Sequence, residues 1–186
     1  MDNFSYLSVL ISIVLGLGIT QLLSGFGRWV ENRSSFPAYA PTIVWSAVLL
    51  LMHIQTWWSM YGLRFHTDWT FFQFFVVLLQ PIVLFLLSSL VLPSTASSVG
   101  DLRRNYELQR KWFFALLNVL LLVSIARDAV LTRALPSQYN IGFHLLFMST
   151  FVTGMCVTRE SVHRFIALFT AAAICLYIFL LFYALE

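Results

Sequence analysis

Charge is scarce in this sequence. Only 10% of its 186 residues are Asp, Glu, Lys or Arg, against about 25% in soluble domains, and Lys111 is the single lysine. A charge density this low excludes an ordinary water-soluble globule. The lysine lies outside every long apolar stretch, which excludes a Schiff-base chromophore of the retinal kind, since that needs an amine inside the bundle. Cysteine is equally sparse. Cys156 and Cys175 fall at different depths of different apolar stretches, so they are expected to stay unpaired, and neither a CxxCH haem attachment nor a zinc spacing is present. The hydrolase signatures GxSG, HExxH and GxGD are missing as well. Asp128 is the one carboxylate inside an apolar stretch, so a two-carboxylate mechanism has no second member. Nothing in the chain points to an enzyme or to catalytic residues.

Apolar residues fill the space that charge leaves. The chain is 60% hydrophobic and 17% aromatic, with a mean hydropathy of +0.83. Six stretches, residues 5–29, 41–63, 70–92, 112–131, 138–157 and 164–185, reach the ~20 apolar residues that cross a bilayer core of ~30 Å. The reading is an all-α polytopic integral membrane protein whose six transmembrane helices form one bundle over residues 1–186. The first stretch lacks a basic start and a small-residue cleavage site, so it reads as a span and not as a cleavable leader. The longest connection, 93–111, is polar and Ser-rich and then charged, too short to hold a soluble domain.

The net charge of +3 and the isoelectric point near 9.1 report topology and not nucleic-acid binding. Connections one, three and five carry Arg28, Arg33, Arg103, Arg104, Arg110, Lys111, Arg159 and Arg164, whereas the opposite side carries Arg64, Arg127 and Arg133. Basic residues collect on the cytoplasmic side, which places both termini outside, in the periplasm of a bacterial inner membrane. Trp57, Trp58, Tyr61 and Trp69 at one side and Trp29, Trp45 and Trp112 at the other fit interfacial belts.

Span one carries Ser8, Ser12, Gly16, Thr20 and Ser24, each four residues from the last. Small residues on one helix face let backbones approach closely. That seam serves either packing inside the bundle or a homo-oligomer. Span three contains Gln80–Pro81 at mid-depth, and a proline there frees a backbone carbonyl.

The strongest functional signal is polar. Arg127 and Asp128 sit side by side in span four, whose other residues are nearly all apolar. A charge at the centre of a membrane helix costs roughly 2.5–3.5 kcal/mol, and such residues usually face a bundle interior or a wet cavity. By helical rise, Arg127 and Asp128 lie roughly 5–8 Å from the outer surface, His144 roughly 9 Å, and His53 and Gln80 roughly 15 Å, with Tyr139 and Asn140 near the mouth. Buried polar groups need partners, so His53, Gln80, Arg127, Asp128 and His144 are expected to converge on an outward-facing pocket. The competing reading is a set of local pairs, with Arg127 snorkelling to water and each histidine bonded to a backbone carbonyl. Farther in, Gln21 and Asn118 are placed to bond each other.

Three functions fit this pattern. The first is transport, conduction or binding of a small polar or anionic solute, in which Arg127 grips an anion and the histidines titrate near neutral pH. The second is a membrane sensor or scaffold that meets a partner or anionic lipid through its basic cytoplasmic connection 101–111. The third is b-type haem held by His53 and His144 from two helices.

The run FSYLSVLISIVLGLGITQLLSG, the HIQTWW of span two and the RD step of LVSIARDAVL resemble a widespread family of small six-span bacterial inner-membrane proteins with no assigned activity. The resemblance covers the whole chain. It implies a multi-pass bacterial membrane setting and transfers no site residue.

Overall fold

The computed structural model describes residues 3–34, 37–92, 101–133 and 138–181. Within them the chain is helical, with no strand: α1 (Asn3–Glu31), α2 (Ala40–Ser59), a 3₁₀ segment (Met60–Phe65), α3 (Phe71–Val91), α4 (Leu102–Thr132), α5 (Gln138–Cys156) and α6 (Glu160–Leu181). Five helices are long and apolar enough to cross a membrane, and α5 is an apolar helix of somewhat shorter reach. At about 1.5 Å per residue, its 19 residues still approach the thickness of a bilayer core. Residues 182–185, the end of the sixth expected span, lie outside the described residues.

Local chemistry sets the helix starts. Pro41 occupies the first turn of α2, where its missing N–H costs nothing. Thr70 opens α3 with a capping box: its hydroxyl accepts from Gln73 N at 3.2 Å, and Gln73 Oε1 accepts from Thr70 N at 2.9 Å. Asp101 caps α4, its Oδ1 accepting from the backbone N–H of Arg103 at 2.9 Å and of Arg104 at 3.2 Å.

That last cap changes the expected layout. Residues 102–111 belong to a charged extension of α4, not to a loop. Leu102 and Tyr106 are buried four residues apart, while Arg103, Arg104 and Glu107 face out. The extension is tied to the start of α6. Arg103 pairs with Glu160 at 3.2 Å, and Tyr106 Oη meets His163 Nδ1 at 3.0 Å. His163 Nε2 lies 2.9 Å from Val157 O. A carbonyl only accepts, so Nε2 carries the proton and Nδ1 accepts from the Tyr106 hydroxyl.

The core gathers around Trp45, which is fully buried with Phe113, Phe114 and Phe151 edge-on at ring-centroid distances of 5.1, 5.8 and 6.1 Å. Edge-to-face geometry of this kind adds to area burial. α3 packs against α1 and α4, α4 against α5, and α2 against α6.

The small-residue ladder of α1 does not serve this packing. Ser12, Gly16, Thr20 and Ser24 are exposed and Ser8 partly so, and a Cβ at Gly16 would meet no atom within 4 Å. The hydroxyls turn back on their own helix, Thr20 to Gly16 O at 2.8 Å and Ser8 to Ser5 O at 3.0 Å. The face that α1 buries is Ile11, Leu15, Gly18, Leu22 and Gly25. Asn118 donates to Phe114 O at 2.8 Å within its own helix, not to Gln21. Cys156 and Cys175 are free.

Candidate functional site

Arg127 stands one turn before the end of α4, and its planar guanidinium is held on two sides. Nε and Nη2 both donate to Asp128 Oδ1, at 3.1 and 3.0 Å. Nη1 donates to Gln80 Oε1 on α3 at 2.7 Å, and Gln80 Nε2 in turn donates to the Thr56 hydroxyl on α2 at 3.2 Å. A continuous chain therefore runs Asp128, Arg127, Gln80, Thr56 across three helices. The side chains of Arg127 and Asp128 are 22% and 33% exposed, so the charges are neither dry nor fully hydrated. A guanidinium that only snorkelled would have no reason to reach across to α3.

This chain forms one wall of a cavity of about 200 Å³ bounded by α2, α3, α4, α5 and α6. His144 on α5 lines it opposite, with its Nδ1 2.7 Å from Asn140 O. The carbonyl fixes the proton on Nδ1 and leaves Nε2 as an acceptor. Asn140 lines the mouth, and so does Tyr177 of α6, which is within electrostatic reach of both Arg127 and Asp128. Toward the centre of the bundle the lining turns apolar, with Leu117, Phe147, Phe151 and Trp45. Thr170 stands there as well; it is 1% exposed, and its hydroxyl has no hydrogen-bond partner among the described residues.

Four of the five residues expected at the pocket thus meet: Gln80, Arg127, Asp128 and His144. His53 does not line the cavity. It is fully buried, with Nδ1 2.7 Å from Leu49 O, and its Nε2 faces Gly18 of α1, where a Cβ would lie only 2.2 Å away. The physical reason is azimuth: α2 turns Met52, Gln55, Thr56 and Ser59 toward the cavity, and successive helix residues point about 100° apart, so His53 points elsewhere. His53 and His144 consequently share no space, and the geometry lends no support to a haem held between them. The Tyr139 side chain lies outside the described residues.

Several lining residues carried no signal of their own in the sequence. Ser124 precedes Arg127 by three residues, so helical spacing from Arg127 would have found it, whereas Thr56 had no anchor on α2, where the one candidate, His53, points away from the cavity. Thr170 and Tyr177 offered no such anchor, because α6 contributes no charge at this end. No protein-family model, no curated protein and no solved structure matches the chain.

Proposed function

We propose that the protein takes a small polar or anionic solute into the cavity between α2 and α6 and carries it across a bacterial inner membrane. The observation that carries this reading is the chain from Asp128 through Arg127 and Gln80 to Thr56 on the cavity wall. Two charges at this depth are costly, and membrane proteins retain such groups for substrate contacts, relays and counter-ions. A purely structural pair needs no cavity beside it, and here polar residues of five helices line one. Mass spectrometry of extracts from purified protein tests the reading. One small polar or anionic compound is expected in wild-type extracts and absent from those of Leu121→Trp, whose indole fills the cavity. Identical extracts overturn the assignment.

The excess of basic residues at Arg28, Arg33, the 103–111 segment, Arg159 and Arg164 supports a cytoplasmic position for that end. The cavity then opens toward the periplasm. Reporter fusions after residues 2 and 186 should read as periplasmic and an insertion at 97 as cytoplasmic. The reverse pattern at two of these sites overturns the orientation.

A further inference from the structure

The cavity is graded along the bundle axis. On α4 its lining runs Leu117, Leu120, Leu121 and then Ser124, Arg127, Asp128. On α5, which descends from the same end, the order is Asn140, His144 and then Phe147, Phe151. On α2 Trp45 and Met52 give way to Gln55 and Thr56. Along these three helices the lining thus changes from apolar toward polar in the same direction, with Phe143 of α5 an apolar exception at the polar end and Thr170 of α6 a polar one at the apolar end. From 117 to 128 α4 rises about 16 Å, of which the first 6 Å or so are apolar. A solute matched to such a space has one polar end and a short apolar body.

Its size is bounded. Pockets for drug-sized ligands measure roughly 300–1,000 Å³, while apolar cavities of about 150 Å³ bind benzene. At about 200 Å³ the space admits one ring, or a chain of about six carbons, together with a head group. A long acyl chain does not fit.

The head group follows from hydrogen bonds and charge. Asp128 and Gln80 engage three of the N–H groups of Arg127, out of the five a guanidinium carries. The two that remain suit the paired oxygens of a carboxylate. Asp128 has already neutralised Arg127, however, so a second anion leaves one negative charge uncompensated. The charged and titratable groups facing that point are Arg127 and Asp128 on α4, His144 on α5 and Tyr177 on α6; α2 and α3 present Thr56 and Gln80, which do not titrate. Two carboxyl groups at one site relieve the excess by sharing a proton. The anion of a strong inorganic acid holds no proton of its own and brings no apolar body to meet Leu121 and Phe147.

We infer that the occupant is a small organic monocarboxylic acid with a compact apolar body, bound together with one proton. Its carboxyl lies beside the Arg127–Asp128 pair, on the N–H groups of Arg127 that Asp128 and Gln80 leave over, and its body rests against Leu121 and Phe147. The proton comes from solvent, one for each carboxylate bound. This rests on the cavity being a solute site and narrows what that solute is.

Radiolabelled benzoate binding to the full protein in nanodiscs tests the assignment, with Leu121→Trp as the control for partition into lipid. Saturable binding is expected to wild type alone. Unlabelled hexanoate should compete, whereas nitrate and laurate should not at a hundredfold excess. Affinity should fall about tenfold per pH unit above neutrality, the slope of one linked proton. Asp128→Asn should change the affinity for benzoate and flatten its pH profile, since the site then carries one positive charge to meet one negative and needs no proton. Competition by nitrate equal to that of hexanoate overturns the monocarboxylate class, competition by laurate equal to that of hexanoate overturns the compact body, and either leaves the solute site standing. A flat pH profile in wild type overturns the shared proton. If neither benzoate nor nitrate binds, and the extracts of wild type and Leu121→Trp are alike, the solute-site reading falls too.

Discussion

Asp128→Ala should lower unfolding stability by about 2–3 kcal/mol, and Arg127→Leu/Asp128→Leu should restore most of that loss. The expectation lies between two limits. Exposed ion pairs are worth ~0–1 kcal/mol, and breaking a fully buried one costs ~3–5 kcal/mol. With side chains 22% and 33% exposed, this pair falls between them. Removing Asp128 leaves Nε and Nη2 of Arg127 without their acceptor, and hydrogen bonds to charged groups are worth about 1.5–3 kcal/mol. The double substitution removes both charges together. Its residual cost is the Gln80 carbonyl oxygen, which loses Arg127 Nη1, while the amide nitrogen keeps Thr56. Titration with denaturing detergent, followed by tryptophan fluorescence, measures Asp128→Ala together with the four corners of the cycle: wild type, Arg127→Leu, Asp128→Leu and the double variant. A coupling below ~0.5 kcal/mol, the level of independent sites, would mean that the pair is solvated and that the wall of the cavity does not depend on it.

Position along each helix was legible in the sequence, and azimuth was not. Lipid forces every spanning segment to be apolar, so the runs at 5–29, 41–63 and 70–92 mark helices within a few residues of α1, α2 and α3. Helical rise then converts position into depth, which is why Gln80, Arg127, Asp128 and His144 could be grouped before any contact was known. In a soluble helix the polar face tells which side is buried. In a membrane helix both the lipid face and the core face are apolar, so that signal is lost.

α1 shows the consequence. Its small residues at 8, 12, 16, 20 and 24 stand out as a pattern, yet the buried stripe is Ile11, Leu15, Gly18, Leu22 and Gly25, an alternation of four and three residues. That His53 points away from the cavity was hidden for the same reason. The start of α4 was hidden differently. Its charges at 103, 104 and 107 lower the hydropathy of the segment, while the stripe of Leu102, Tyr106 and Phe113 that buries it shows only as helical periodicity.

Gly18→Ala should therefore be among the most damaging single-methyl changes in the chain, at about 2–3 kcal/mol. Adding bulk to a close-packed core typically costs 1–3 kcal/mol, and here the neighbour has little room to retreat. The new Cβ would lie 2.2 Å from His53 Nε2 and 2.9 Å from Cδ2. The ring is fully buried, and its other nitrogen is held 2.7 Å from Leu49 O. Relief requires α1 to move away from α2 or the imidazole to leave its hydrogen bond. Gly16 is the control, two residues and about 200° away on the same helix. Gly16→Leu adds four carbons where no atom stands within 4 Å, so its unfolding midpoint should match wild type. Gly18→Ala/His53→Ala should lose less than the sum of its two single changes, because the clash needs both partners. A wild-type midpoint for Gly18→Ala would sink the α1–α2 contact. A lowered midpoint or altered elution volume for Gly16→Leu would mean that a second copy covers the small-residue face, since among the described residues nothing stands within 4 Å of a Cβ there.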